Sequence, residues 1–353
     1  MIELLFALAA ASQSPASANA EPASPEPGTV RLFGDWAVGC DNGWACEAIS
    51  LPTEDWEIGN GYSITIRRAG GAEGYHRVGI RAFEDESPST VTLLIDGEYA
   101  GTATRGEGDE LFHFDPDQSH RIAGLMARGG DAELRDADGG MIERVSLDGS
   151  YAALLFIEDR QQRAGTVTAS AAVGDEPALQ IPAPPTIPTI RAMPVADRAG
   201  ETATPLPDDQ ANRLHEAREC DGFDDRLRRN EAFILSDARD LILISCSSGA
   251  YNFSDIAYVR NTDGTVTPAR FDRVFAWGEN REIPLLVNVY WNADANELST
   301  YAKGRGIGDC GTAERFVWDG GMFRLIERRE MNVCRGSPHW ITVYRANVEW
   351  VEP

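Results

Sequence analysis

Tyr62-Ser63-Ile64-Thr65-Ile66-Arg67 and, ten residues on, Arg77-Val78-Gly79-Ile80-Arg81-Ala82 alternate apolar and polar side chains. A period of two is the mark of a strand with one buried and one wet face, and glycine, proline or aspartate bounds each run as a hairpin requires. The same pattern recurs at 31–38 and 90–95, so residues 30–180 read as a β-rich domain of antiparallel strands. Two helices interrupt it late. Asp117 is placed to cap one through Ile122, Leu125 and Met126 that stops at Gly129-Gly130, and a second begins near Ser150 with Leu154, Leu155 and Ile157 on its buried side.

Working outward, residues 181–209 hold Pro182, Pro184, Pro185, Pro188, Pro194, Pro205 and Pro207. That density forbids a helix or a central strand and predicts an extended, semi-rigid connector between two domains. Beyond it, 210–353 opens with a helix from Asp208 or Asp209 through Leu214 and Ala217. Strand-like runs follow at 240–246, 254–260, 284–290, 315–318, 322–327 and 340–348, with Asp263-Gly264 and Asp319-Gly320-Gly321 among the turns. The expected fold is mainly β (α+β): two domains of antiparallel sheet, the first with two packed helices, the second a hairpin meander preceded by one helix.

The 353 residues carry 32 Lys and Arg against 56 Asp and Glu, a formal net charge of −24. Affinity for nucleic acid comes from clustered cations that neutralise phosphates, so a nucleic-acid partner is excluded on charge. No apolar run reaches the roughly 18 residues that span a bilayer. At the N-terminus, a short apolar stretch from Leu4 to Ala11 leads to Ala18-Asn19-Ala20, the pattern of a secretory signal peptide over 1–20, although Glu3 stands where a basic residue is usual. A Pro-rich lead-in covers 21–29. The six cysteines, Cys40, Cys46, Cys220, Cys246, Cys310 and Cys334, are even in number and lack the spacing of zinc ligands. Export to the periplasm or beyond makes disulfides their natural state, and nearest-neighbour pairing is the expectation among 15 connectivities.

The stretch Phe33-Gly34-Asp35-Trp36-Ala37-Val38-Gly39-Cys40, with Cys46-Glu47-Ala48 after it, resembles the opening of a bacterial exported family, domain of unknown function 1176. Later blocks match as well: Ser146-Leu147-Asp148-Gly149, the segment from Asp159 to Thr166, Cys246-Ser247-Ser248-Gly249-Ala250-Tyr251-Asn252, the segment from Lys303 to Gly311, and Trp318-Asp319-Gly320. The first half also resembles the invasion-associated locus B family of small exported β domains. That second resemblance implies an envelope-associated protein with a part in host interaction and no established enzymatic activity. The strong negative charge runs against contact with anionic host or membrane surfaces.

Chemistry-bearing motifs are sparse. His76, His113, His120, His215 and His339 lie apart, and no H-E-x-x-H, G-x-S-x-G, S-x-x-K or P-loop occurs. No cofactor and no metal is implied: Asn292-Ala293-Asp294-Ala295-Asn296 and Asp136-Ala137-Asp138-Gly139-Gly140 alternate oxygen ligands but lack the calcium loop's closing positions, and the acidic stretch Asp221 to Asp225 reads as solvated. The second half is rich in aromatic residues, among them Trp277, Trp291, Trp318, Trp340 and Trp350. Together with the loop Gly304-Arg305-Gly306-Ile307-Gly308-Asp309, they suggest a partner-binding site built from Tyr251, Asn252, Arg305, Asp309, Trp318 and Trp340, facing a protein or glycan of the envelope. The alternatives are an envelope hydrolase using Ser248 and His339, with geometry that only a fold can supply, and a purely structural envelope protein.

Overall fold

A computed structural model describes residues 25–52, 61–83, 88–106, 111–198, 201–218, 220, 229–272 and 283–351. Residues 1–20, where a signal peptide is expected, the acidic segment 221–225 and Trp277 lie outside the described residues. In the first half, β1 (Arg31–Phe33), β2 (Trp36–Cys40), β3 (Cys46–Ser50), β4 (Tyr62–Arg68), β5 (His76–Ala82), β6 (Thr90–Ile95), β7 (Glu98–Arg105), β8 (Leu111–His113), β9 (Asp131–Arg135) and β10 (Met141–Ser146) make one antiparallel sheet. Its order is β1-β2-β3-β4-β5-β8-β7-β6-β9-β10. The alternation that opened the sequence sets the register, with Ile64 opposite Ile80 and Ile66 opposite Val78, all four buried against the helices.

Helix α1 (Pro116–Met126) is capped by Asp115, not Asp117: the Asp115 carboxylate accepts from the Gln118 N–H at 2.7 Å. Pro116 takes the first helical position, where its preset φ helps and its missing N–H costs nothing. Helix α2 (Ser150–Arg160) buries Ala153, Leu154 and Ile157, while Leu155 sits at the edge of the buried face. The chain enters α2 through Gly149 at φ +90°, where a Cβ would stand 1.8 Å from the Phe33 carbonyl oxygen. Only glycine fits there.

The second half contains β11 (Thr189–Ala192), helix α3 (Asp208–Glu216), and then a mixed run of hairpins. A meander of β12 (Asn230–Ser236), β13 (Arg239–Ser248), β14 (Phe253–Asn261) and β15 (Val266–Pro268) carries β16 (Leu286–Val287) on β14. A second meander joins β17 (Tyr290–Asn292), β18 (Glu297–Lys303), β19 (Gly311–Trp318), β20 (Phe323–Met331) and β21 (Ile341–Arg345). Two expected runs are broken. Across 284–290, Asn288 turns the backbone at φ +46°, and 340–348 divides at Ala346 between β21 and β22 (Asn347–Trp350). The Pro-rich stretch carries β11, which pairs in parallel with β22 in a two-stranded sheet, a setting that needs few backbone donors.

The halves also share a core. Strand β2 is buried along its whole length because it has two apolar faces: Trp36 and Val38 pack with the helices, whereas Ala37 packs with Ile49, Trp340, Ile341 and Val343. Polar ties run alongside, from Gly28 N–H to the Val343 carbonyl at 2.8 Å and from Arg335 to Asp35 at 2.6 Å. The disulfides join nearest neighbours, Cys40 to Cys46, Cys220 to Cys246 and Cys310 to Cys334.

Candidate functional site

Strand β18 leads directly into the Gly304–Asp309 loop, and the loop's neck is closed by the Gly304 N–H donating to the Cys310 carbonyl at 2.7 Å. Arg305 donates to Asp309 from Nε at 2.7 Å and from Nη2 at 2.5 Å, a bidentate fork. The Gly336 N–H adds a further bond to Asp309 at 2.6 Å. Burial pushes the Asp309 carboxyl up, but Arg305 and the Gly336 N–H more than offset it and hold the group below its usual range. The disulfide at Cys310 anchors the far side of the loop to Cys334. Glycine serves geometry here: Gly308 lies at φ +73°, and a Cβ on it would meet the Tyr301 hydroxyl at 2.9 Å.

Asn252 pins this loop to the other meander. Its amide donates to the Lys303 carbonyl at 2.8 Å, and its oxygen accepts from the Lys303 N–H at 3.1 Å and from Asn288 at 3.0 Å. The Tyr251 hydroxyl donates to the Gly304 carbonyl at 3.3 Å. Trp340 is buried under the loop, stacked on Tyr301 with ring centroids 4.7 Å apart, and the Tyr301 hydroxyl donates to the Gly308 carbonyl at 3.1 Å. Burial pushes the Tyr301 phenol above its ordinary value.

Five of the six residues expected at a binding site, Tyr251, Asn252, Arg305, Asp309 and Trp340, thus surround one loop. Trp318 does not join them. It packs in the second-half core, edge-on to Phe323 at 5.1 Å, with the Arg239 guanidinium 5.8 Å from its ring. Asn252 and Asp309 spend their hydrogen-bonding capacity inside the protein, and Trp340 has no exposed face of any size. The exposed groups at this end are instead Tyr251, Phe253, Tyr290 and Ile307, the last 66% exposed. An isoleucine between two glycines in a polar loop was the sequence signal for this rim.

The hydrolase alternative rests on Ser248 and His339. His339 Nε2 meets the Glu47 carboxylate at 2.9 Å, and Glu47 also holds Arg67 at 2.8 Å. Ser248 ends β13, across the hairpin from Phe253. Burial pushes the Glu47 carboxyl up, yet His339 and Arg67 together keep it below its ordinary value. The calcium-like stretches use their oxygens in turns: Asp136 accepts from the Asp138 and Gly140 N–H groups at 3.0 and 2.7 Å, and Asn292 accepts from the Ala295 N–H at 3.1 Å.

A buried polar cluster under α2 went unrecognised because its members lie far apart in the chain. Arg68 donates to His76 Nε2 at 3.2 Å, to the Thr168 carbonyl at 2.7 Å and to the Gly74 carbonyl at 3.2 Å. Since an arginine only donates, the His76 ring accepts at Nε2 and holds its proton on Nδ1, toward His120 Nδ1 at 3.4 Å. Burial, then the fields of Arg68, His120 and Arg163, pull His76 down to about 2. Burial also brings Arg68 down to about 9, with Arg163 acting the same way and Glu158 opposing.

His76 is therefore neutral when folded and binds a proton when unfolded. Its contribution to stability is complete above its unfolded pKa and is lost as pH falls from there toward the folded value, by about 1.4 kcal/mol per pH unit. Urea titrations at pH 7.5 and 5.0 should show the wild-type protein losing about 2 kcal/mol more than His76→Asn. Equal losses would mean that His76 does not carry the pH response, and would turn attention to His120, which burial and Arg68 also pull below its ordinary value.

Fold and site together define a β-rich, disulfide-stapled chain whose two halves close over shared apolar strands and present one rigid loop. The chain belongs to the family described as Protein of unknown function (DUF1176), whose profile matches residues 30–347. It is 31% identical over 335 residues to the uncharacterized protein YpfG of Escherichia coli (strain K12), covering 89% of this chain and 92% of that protein. Among solved structures, the invasion associated protein b from Bartonella henselae is similar to 38% of this chain and 99% of its own, at 16% identity and a TM-score of 0.28.

Proposed function

We propose that this protein is an exported binding module of the bacterial envelope that holds a protein partner at the rim of the Gly304–Asp309 loop. The carrying observation is Ile307, 66% exposed at the tip of a loop fixed by a disulfide, a bidentate ion pair and two aromatic rings. Large apolar groups held rigidly at the surface lose little entropy on binding, and such groups anchor protein interfaces. Tyr251, whose ring lies against Gly306, and Phe253 and Tyr290 are exposed as well. A protein is favoured over a glycan because Ile307 and Phe253 have no polar tip, while Asn252 and Asp309, the groups suited to sugar hydroxyls, are already satisfied internally. Arg305 keeps an exposed edge that suits the polar rim of an interface.

Support for export comes from the three disulfides, which persist in oxidising compartments, and from the leader-like sequence ending at Ala20. No helix among the described residues is long and apolar enough to cross a membrane. The test is photo-crosslinking in intact cells from a benzophenone residue in place of Ile307, which should yield a discrete adduct with one envelope protein.

A further inference from the structure

A second surface feature lies away from the loop, where β3, β4 and β5 of the first half meet β21 of the second. A cleft of about 340 Å³ opens there, with Arg67, Arg77, Arg345, Tyr75, Asp41 and Glu47 on its walls. Its volume falls within the roughly 300–1,000 Å³ typical of small-molecule sites. Its charge opposes that of the whole molecule: in a chain of formal net charge −24, these walls carry four arginines, of which Arg68 is buried, against two carboxylates.

Those carboxylates are already engaged. Asp41 accepts from Arg345 Nε, and Glu47 accepts from Arg67 Nε at 2.8 Å and faces His339. Each arginine thus spends its inner nitrogen on the protein. Among the described residues, Arg77 has no carboxylate partner; it donates to the Tyr75 hydroxyl at 2.7 Å, with its guanidinium carbon 5.1 Å from that ring. Arg67 and Arg345 remain about 39% and 49% exposed. A guanidinium fork matches the geometry of a carboxylate or phosphate and is only weakly hydrated, so several around one cavity favour a planar or tetrahedral oxyanion. The Tyr75 ring and the small side chains of Ala45 and Ala69 supply an apolar bed for the remainder of such a ligand.

Overall negative charge does not defeat this. Surface charges farther away than a Debye length of about 8 Å are largely screened at physiological salt, whereas the arginines would touch the ligand. It does select for size, because a long polyanion would lie across the acidic exterior. We infer that the cleft between β3–β5 and β21 binds a small organic oxyanion, with Arg67, Arg77 and Arg345 gripping its carboxylate or phosphate group and Tyr75 covering its apolar body.

The test is isothermal titration calorimetry on the full chain with benzoate, phenyl phosphate and neutral benzamide as probes. At least one anion should bind saturably while benzamide does not, and comparing the two anions decides between carboxylate and phosphate. Arg77→Gln should weaken that binding about tenfold or more, the scale of a lost charge-assisted hydrogen bond. Its guanidinium bonds to the Tyr75 hydroxyl and to no carboxylate among the described residues, so folding is not at stake. Arg345→Lys, which keeps a cation beside Asp41 but loses the fork, should also weaken it. Arg144→Gln, at an exposed ion pair with Asp131 and Glu133, should leave affinity unchanged. The inference is overturned if neither anion binds better than benzamide, if Arg77→Gln binds like wild type, or if Arg144→Gln weakens binding as much as Arg77→Gln does. The cleft does not include the loop rim, so failure here leaves the partner-binding proposal standing, and the reverse.

Discussion

Replacing Glu158 with Ala is expected to cost about 3–5 kcal/mol of folding stability, the range found when one partner of a buried charge network is removed. Glu158 lies in the last turn of α2 and is fully buried. Its carboxylate accepts the N–H groups of Ser170, Ala171 and Ala172 at 2.5, 2.9 and 2.9 Å, folding the segment after the helix back onto it. It is also the acidic influence on Arg68 and Arg163, two guanidiniums that are 3% and 0% exposed. Removal therefore leaves three N–H donors without their acceptor and takes a nearby negative charge from two buried cations, which keep their bonds to backbone carbonyls. Glu158→Gln keeps one acceptor and the side-chain shape, so it should lose less than Ala. Urea denaturation at pH 7 measures both. A loss below about 1 kcal/mol for the Ala variant, an ordinary single hydrogen bond, would mean that Glu158 does not organise the cluster.

The second large effect concerns the disulfides. Closing a loop removes entropy from the unfolded chain, and the gain rises with loop length. Cys310 and Cys334 are 24 residues apart and Cys40 and Cys46 only 6, which corresponds to about 3.5 and 2.4 kcal/mol respectively. The Cys310→Ser/Cys334→Ser double variant should therefore lose more stability than Cys40→Ser/Cys46→Ser, measured by denaturant unfolding without reductant. It should also loosen the Gly304–Asp309 loop, because Cys310 closes its neck and Gly336, two residues beyond Cys334, bonds to Asp309. The reverse order of stabilities would show that residual unfolded-state structure or native strain outweighs chain entropy at these bridges.

Strands with strong apolar alternation were legible in the sequence, as at Ile64, Ile66, Val78 and Ile80. The Glu297–Lys303 strand was not, because its buried positions after Leu298 are Thr300 and Ala302, whose side chains are too small or polar to stand out. Asn230–Ser236 was missed for a related reason: most of it is only half-buried, so no clean alternation survives. The cap of α1 shows how local chemistry can be misassigned by two residues. Asp115 and Asp117 both precede or enter α1, and it is Pro116 at the first helical position that selects the former.

At the candidate site, the Arg305–Asp309 pair is a contact across four residues and could be anticipated from a cation and an anion at that spacing. Asn252 on Lys303 spans 51 residues and His339 on Glu47 spans 292. No local pattern encodes such contacts. The same limit hid the shared core, in which Ala37 meets Ile341, and the His76–Arg68–Glu158 cluster. Aromatic content drew attention to the second half but could not separate Trp318, which fills a core, from Tyr251, which stands at the surface.

Photo-crosslinking from position 307 in intact cells tests the central claim most directly, with a benzophenone residue in place of Leu179 as the control. Leu179 is 87% exposed and lies in the first half, so it reports random collisions in the same compartment. The account predicts one discrete, protease-sensitive adduct from position 307 that is absent from position 179 and abolished by adding Tyr251→Ala. No adduct from position 307, or the same adducts from both positions, would contradict it.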